Sequence, residues 1–262
     1  MGVGSCGCGL GMSLRAAVVA GLGALLCVTL ARADSWPPPR TKQYMSANGT
    51  IQAVIVPRAL AVHFEYFQGK ADGRSAAGQR PGSTITAPFA HVSRRTGDGR
   101  WTTLWQQPLV NDVVPVDALV ANSGQYLITF DNWHHMGYGP DAVAIYDAHG
   151  RLIRKYALTD FLPLAYIKTL STTVSSIRWN AGHFLIDNDE TLIIRVAEPS
   201  FHFNDDRGLA VSVRIRLSDG TITPPAGRAW ERALRKSKTV RLQQDAYARK
   251  ACKELGDGWC KR

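Results

Sequence analysis

The segment from Asp131 to Asp141 holds the main concentration of chemically capable side chains in this 262-residue chain. It reads DNWHHMGYGPD, so two carboxylates flank the adjacent imidazoles of His134 and His135. Imidazole and carboxylate groups can bind a metal ion, and they can exchange protons as general acids and bases. Asp131, His134, His135 and Asp141 are therefore the candidate catalytic residues.

A structural interpretation of the same segment is the one we favour. Adjacent histidines on a strand project to opposite faces, so their spacing does not single out a metal site. Trp133 and Tyr138 are suited to local packing, while the glycines form the turn and Asp131 accepts hydrogen bonds from backbone amides. Trp133 and Tyr138 are also candidate ligand-binding residues. The segment predicts neither a metal ion nor another cofactor.

Residues 201–206 (FHFNDD) form a second polar cluster, in which His202 and Asp205 are candidate ligand-binding residues. Their side chains could supply ligands to a cation, but Asn and Asp clusters between strands usually form hairpin loops. The same interpretation fits residues 187–190 (DNDE). The chain contains no nucleophile elbow, phosphate-binding glycine loop or HExxH zinc helix, so we lean against an enzyme.

Short aliphatic strands must position these segments, and their pattern occurs three times. A small polar turn precedes an aliphatic strand at 46–56, 121–130 and 187–196. A hairpin around a glycine follows each time, at Gly99, Gly150 and Gly220. Each copy predicts about four antiparallel strands. The sequence therefore predicts an all-β domain of three diverged repeats over residues 44–225, interrupted by a flexible surface loop at 70–87.

The clearest copy, SGQYLITF at 123–130 with AVAIYDAHGRL at 142–152, resembles a β-propeller blade of the tryptophan-aspartate and quinoprotein-like kind. The chain is also similar to uncharacterised exported bacterial proteins that carry an Asp-Asn-Trp-His insert in such a blade. The resemblance implies blade-like sheets over about 44–225. Three copies are fewer than the four blades that a closed propeller needs. A partial propeller, a barrel and a sandwich are therefore the alternatives.

Residues 1–33 predict a cleavable secretory signal. Arg15 provides a cationic start, an apolar block runs from Ala16 to Leu30, and small residues flank Arg32 before Asp34. The apolar block, at about 15 residues, is shorter than the roughly 20 of a membrane span. We therefore predict cleavage after Ala33, with Met12 as the alternative start, and export to the periplasm or the medium.

The rest of the exported chain begins and ends with segments outside the repeats. Residues 34–43 contain Trp-Pro-Pro-Pro and predict an extended lead-in. Residues 226–262 predict a basic helix over 230–255, and its end carries Cys252 and Cys260. An even pair of cysteines in an exported protein predicts a disulfide, and the Gly-Asp-Gly between them supplies the turn.

Charge is concentrated in that last segment. Of the 31 Lys and Arg residues, eleven lie in 228–262, against four of the 21 Asp and Glu. This distribution predicts a surface that can bind an anionic partner. We therefore interpret the chain as an exported binding or scaffold protein of the cell envelope with an unknown partner. The alternatives are a hydrolase with a site near Asp131, His134 and His135, and adhesion to anionic surfaces through the basic helix.

Overall fold

The computed structural model describes residues 36–74, 76–201 and 211–255, and every structural statement below concerns those residues. His202 and Asp205, the whole of 1–33 and Cys260 lie outside them. The signal peptide and the Cys252–Cys260 disulfide therefore stay predictions. All the described elements belong to a unit that begins at Trp36.

Three antiparallel sheets make up the body, each built from four strands that follow one another in the chain. The first sheet contains β1 (Lys42–Met45), β2 (Ile51–Val56), β3 (Phe89–Arg95) and β4 (Trp101–Pro108). The second contains β5 (Pro115–Val120), β6 (Leu127–Asn132), β7 (Val143–Tyr146) and β8 (Leu152–Tyr156). The third contains β9 (Asn180–Ile186), β10 (Thr191–Val196), β11 (Val211–Arg216) and β12 (Ile222–Thr223).

Helices occur between and after the sheets. They are α1 (His63–Ala71), a 3₁₀ turn (Leu158–Asp160), α2 (Leu164–Ile167) and α3 (Gly227–Leu255). The predicted fold class is thus confirmed: an all-β domain of three four-stranded, blade-like sheets followed by a C-terminal helix. No strand of the described part pairs with a strand of another sheet, so these sheets do not form one closed barrel.

The polar turns that mark each repeat also join neighbouring sheets. The backbone amide of Asn48 donates to Oδ1 of Asn122 (2.8 Å), and the amide of Asn122 donates to Oδ2 of Asp189 (2.6 Å). In the third copy, Asp187, Asn188 and Asp189 adopt positive φ values of 53°, 54° and 70°, a conformation that short polar side chains tolerate. The repeated motif therefore makes both the turns and the contacts between sheets.

The hairpin glycines allow each sheet to approach the one before it. A Cβ atom on Gly150 would lie 2.6 Å from atoms of Trp105 and Gln107 in β4. Gly220 packs in the same way on Arg154 and Tyr156 in β8. A larger residue at either glycine would push the hairpin away from its neighbour. Gly99 of the first sheet makes no such approach, but it shares with Gly150 and Gly220 a positive φ (83°, 75° and 75°), which explains why glycine recurs in these turns.

The core consists of two hydrophobic clusters, one on each side of the second sheet. Ile51, Val92 and Trp105 of the first sheet pack against Leu127 and Tyr146 of the second. On the other face, a larger cluster joins the second and third sheets through residues such as Ile128, Phe130, Val143, Leu192 and Val213. All six residues of β6 (LITFDN) and all four of β7 (VAIY) are buried, because the second sheet is covered on both faces.

Helix α3 is docked at one end and projects at the other. Ala233 and Val240 are buried, and the ring of Trp230 lies 4.9 Å from that of Tyr166. Beyond Val240 the packing weakens: residues 246–250 are exposed, and Tyr247 is 65% exposed. The first half of α3 is therefore part of the core, whereas its second half is mostly exposed and keeps one ring contact, between Tyr247 and Phe201 (5.9 Å between centroids). No described helix has both the length and the hydrophobicity needed to cross a membrane.

The loop predicted at 70–87 is anchored to the body. Ala77 is only 5% exposed, and the buried guanidinium of Arg58 donates to its carbonyl oxygen (3.0 Å). Arg58 also pairs with Asp112 (3.1 Å), which accepts a hydrogen bond from Tyr66 of α1. The Gly- and Ser-rich composition predicted flexibility, but a buried cation from outside the segment organises it.

Candidate functional site

Asp131, at the end of β6, turns its carboxylate into the protein. It is 3% exposed and adopts a φ of 55°. Oδ1 accepts a hydrogen bond from the amide of Gly137 (2.7 Å), and both carboxylate oxygens accept from Nε1 of Trp179 (2.9 and 3.0 Å). Burial raises the pKa of Asp131 to about 7, although these hydrogen bonds act to lower it. The carboxylate therefore closes its own loop and joins it to the chain that leads into β9.

Asp141 is engaged in a similar way at the other end of the loop. It is 5% exposed, and Oδ2 accepts a hydrogen bond from Nδ2 of Asn132 (2.9 Å). Burial raises the pKa of Asp141, against the lowering effects of Asn132 and Lys155. Asn132 in turn accepts from the amide of Asp112 (2.9 Å). Both candidate carboxylates thus hold backbone and side chains of the body in place.

The two histidines have different surroundings. His134 packs its ring on Phe67 of α1, with ring centroids 4.2 Å apart. His135 is exposed and lies beside Tyr138, at 5.0 Å between centroids. Burial of part of the ring, helped by the charge of Lys70, lowers the pKa of His135. The loop therefore holds the carboxylates inside and an imidazole outside, and it does not gather the four candidates into one open cleft.

Trp133 anchors the segments around it. It is 5% exposed, its Nε1 donates to the carbonyl oxygen of Pro37 (2.9 Å), and its ring packs against Tyr66 and Phe67 of α1. Tyr138 is half-buried and lines a surface groove. Of the two candidate ligand-binding residues in this loop, only Tyr138 is therefore placed to meet a ligand. Within the described ranges, no three His, Cys, Asp or Glu side chains are grouped to hold a metal ion.

The first strand of each sheet, which is also an edge strand, contributes to a second polar group that the sequence did not indicate. Nζ of Lys42 in β1 donates to the carbonyl oxygen of Val116 in β5 (3.0 Å). Nε2 of His183 in β9 lies 3.4 Å from Oδ2 of Asp117 in β5. Burial acts to raise the pKa of Asp117, but the hydrogen bonds from His183 and Ala118 hold it below its ordinary value.

These residues come from three separate strands, so no local motif could reveal them. His183 also contacts Asn180 (2.9 Å between Nδ1 and Nδ2) and stacks on Phe130, at 3.7 Å between ring centroids. Beside Asp117 lies the buried hydroxyl of Tyr44, which has no hydrogen-bond partner among the described atoms. Burial, followed by the charge of Asp117, raises the pKa of Tyr44. The group is well connected, but none of the described grooves opens onto it.

Helix α3 presents the most basic surface of the described chain. Arg228, Arg232 and Arg235 follow helical spacing, and Lys250 and Lys253 lie 18 residues after the last two. Eighteen residues make about five turns of an α-helix, so all five side chains share one face. All five are exposed. We call Arg228, Arg232, Arg235, Lys250 and Lys253 the basic face.

The basic face is weakly compensated by acidic side chains. Lys250 lies 3.8 Å from Glu254, and the described part of the chain supplies no ion pair to the other four residues. Leu242 is 68% exposed at the edge of this face. Tyr247, which is 65% exposed, follows Val240 by seven residues and so lies on the docked side of the helix, where its ring is 5.9 Å from that of Phe201. A helix with cationic and apolar side chains exposed together is typical of surfaces that bind anionic membranes.

Comparison with known proteins adds little to this geometry. No protein-family model matches the chain, and no curated protein matches it. The chain is similar to a solved structure, the periplasmic gluconolactonase PpgL of Pseudomonas aeruginosa, with 13% identity and a TM-score of 0.34. The match covers 71% of this chain and 44% of that one, so the chain spans less than half the length of PpgL. At so low a TM-score the likeness carries no argument, and conclusions about this chain rest on its own residues.

Proposed function

We propose that this protein is an exported envelope protein that attaches to anionic membrane surfaces through the basic face of α3. The observation that carries the proposal is the alignment of Arg228, Arg232, Arg235, Lys250 and Lys253 on one exposed face. A cation near an anionic membrane contributes about 1 kcal/mol to binding, so five aligned cations contribute about 5 kcal/mol, which supports reversible binding to the membrane surface.

The docking of α3 explains how this face is held in place. Ala233, Ser237 and Val240 are buried on the opposite side of the helix. Nζ of Lys236 also pairs with Glu198 (2.9 Å), which ties the flank of the helix to the body. The arginines of the basic face therefore stand on a fixed helix, and less conformational entropy is lost when they bind than if they lay on a free tail.

Membrane lipid is a better match to this surface than a soluble polyanion. Leu242 is exposed at the edge of the basic face, and an apolar side chain gains free energy only where hydrocarbon is within reach. The predicted signal peptide also places the chain outside the cytoplasm, away from nucleic acid. A hydrolase at the 131–141 loop has less support, because the carboxylate of Asp131 is already bonded to Gly137 and Trp179.

Vesicle co-sedimentation tests the proposal. The protein is expected to bind vesicles of phosphatidylcholine with phosphatidylglycerol, and to bind phosphatidylcholine alone much less. Changing Arg228, Arg232 and Arg235 together to Gln removes roughly 3 kcal/mol, on the order of a hundredfold in affinity. Salt should weaken the binding of the parent protein, since exposed charges are screened.

A matched control separates the basic face from net charge. Arg95, Arg195 and Arg214 are exposed residues of the first and third sheets, and changing these three to Gln removes the same charge from another place. This variant should bind vesicles nearly as the parent does. Equal losses in the two triple variants would contradict the proposal. So would binding to a soluble polyanion such as polyglutamate without binding to vesicles.

A further inference from the structure

Helices α2 and α3 leave an apolar groove between them, beside the basic face. Leu164 and Ala165 of α2 line it from one side, and Ser237 and Leu242 of α3 line it from the other. Its volume is about 570 Å³. Leu164 is 55% and Leu242 68% exposed. Exposed large apolar side chains that lie side by side mark a binding surface more often than a solvated one.

The groove continues towards the 131–141 loop. A second groove of about 530 Å³ shares Leu164 and Lys168 with the first and is lined further along by Tyr138 and Ile177. Each volume lies within the range of small-molecule sites, about 300–1,000 Å³. The two grooves therefore adjoin at Leu164 and Lys168, and we refer to them together as the channel.

The charges on this channel all have one sign. Lys168, Lys238 and Arg241 are its only charged side chains among the described lining residues, which include no Asp or Glu. Nε of Arg241 is paired with Asp245 at 3.2 Å, which leaves the two lysines to meet a ligand. Lys168 stands where the grooves join. Apolar walls with cations at the rim complement a long apolar chain that ends in an anion.

We propose that this channel binds an unbranched fatty acid such as dodecanoate, with its hydrocarbon between Leu164, Leu242 and Ile177 and its carboxylate beside Lys168. An unbranched hydrocarbon suits two adjoining apolar grooves, and a single carboxylate suits a lining that offers lysines and no Asp or Glu. This goes beyond membrane attachment: the two surfaces share Leu242 at their boundary, but the basic face does not include the channel's Lys168 and Lys238. Each proposal can therefore fail without the other.

Calorimetric titration with dodecanoate, below the concentration at which it forms micelles, tests the proposal on the delipidated full chain. Ala165 is exposed within the groove, and Ala165→Trp fills it without altering the core. This change is expected to lower the affinity for dodecanoate at least tenfold. Ala71→Trp adds the same side chain at an exposed position of α1, and it should leave the affinity unchanged.

A second titration, with the uncharged analogue dodecanol, tests the role of the carboxylate. Lys168→Gln should weaken dodecanoate binding several-fold without weakening dodecanol binding, whereas Lys155→Gln, an exposed lysine elsewhere, should change neither. The basic-face triple variant should bind dodecanoate as the parent does, whether or not it binds vesicles. No binding of dodecanoate, or no effect of Ala165→Trp, would overturn the proposal. So would a parent dimer that Ala165→Trp converts to a monomer in light scattering, with fatty acid binding unchanged, since a second copy would then cover the groove.

Discussion

At the scale of single residues, the side chains of the 131–141 loop mainly stabilise the fold. Asp131→Ala leaves the indole of Trp179 and the amide of Gly137 without their buried acceptor, which costs about 1–3 kcal/mol for each donor. Trp133→Ala removes a buried side chain, at about 3–5 kcal/mol. Since His135 is exposed, His135→Ala should stay within about 0.5 kcal/mol of the parent. Thermal melts would rank the three variants by their loss of stability. A destabilisation by His135→Ala as large as that by Asp131→Ala would contradict a structural role for this loop.

The buried carboxyl group of Asp131 also predicts a dependence of stability on pH. Burial raises the pKa of Asp131 from 3.8 to about 7 in the folded protein, so the folded state holds this proton more tightly than the unfolded state. Its contribution to stability is therefore complete below pH 3.8 and is lost as the pH rises towards 7. Asp131→Asn cannot ionise, so its free energy of unfolding should fall less between these pH values.

Urea unfolding of the parent and Asp131→Asn across that pH range would measure the difference. Asp141, whose pKa is raised in the same direction, should leave part of the slope in the variant. If the free energies of unfolding of the two proteins changed with pH in parallel, ionisation of Asp131 would not destabilise the folded state, which would contradict the prediction.

At the scale of elements, α3 has two halves with different roles. Val240 is 3% exposed in the first half, so Val240→Asp would bury an unpaired charge, which is strongly destabilising. Ending the chain after Gln244 removes the projecting turns and should leave the melting temperature nearly unchanged, since residues 246–250 are exposed. The truncated protein should nevertheless bind anionic vesicles more weakly, because it lacks Lys250 and Lys253.

Differential scanning calorimetry and vesicle binding of these two variants would separate the roles. A large fall in melting temperature on truncation would mean that the projecting half supports the body. That outcome would also direct attention to the predicted Cys252–Cys260 disulfide, which the truncation removes. Binding that survives truncation would confine the membrane contact to Arg228, Arg232 and Arg235.

At the scale of the whole molecule, three sheets are held in a row by equivalent contacts. The turn residues Asn48, Asn122 and Asp189 form one chain of hydrogen bonds, and the hairpins at Gly150 and Gly220 each pack on the sheet before. The second sheet is buried on both faces because it has a neighbour on each side. The repeats in the sequence are thus repeats of inter-sheet contact as well as of strands.

The amino-acid sequence by itself determined the local features. Alternating apolar residues and polar turns predicted the central strands of each repeat, and the basic stripe predicted α3, because strand and helix periodicity are properties of neighbouring residues. It missed α1 and the first strands of the three sheets, β1, β5 and β9, whose half-exposed segments have little periodicity. The 70–87 segment was interpreted as flexible from its composition alone. That composition does not include Arg58, the residue outside the segment that bonds to it.

Only the tertiary structure decided which residues meet. Asp131 and Trp179 are 48 residues apart in the chain, and Asp117 meets His183 across two sheets. The channel between α2 and α3 likewise depends on how a four-residue helix lies against a helix more than sixty residues later. The hydrophobic effect determines which face of a strand or helix is buried. Because it is non-directional, it does not determine which other element packs against that face. The packing of the sheets and of α3 therefore determined which residues form the candidate sites. The local sequence pattern could not determine it.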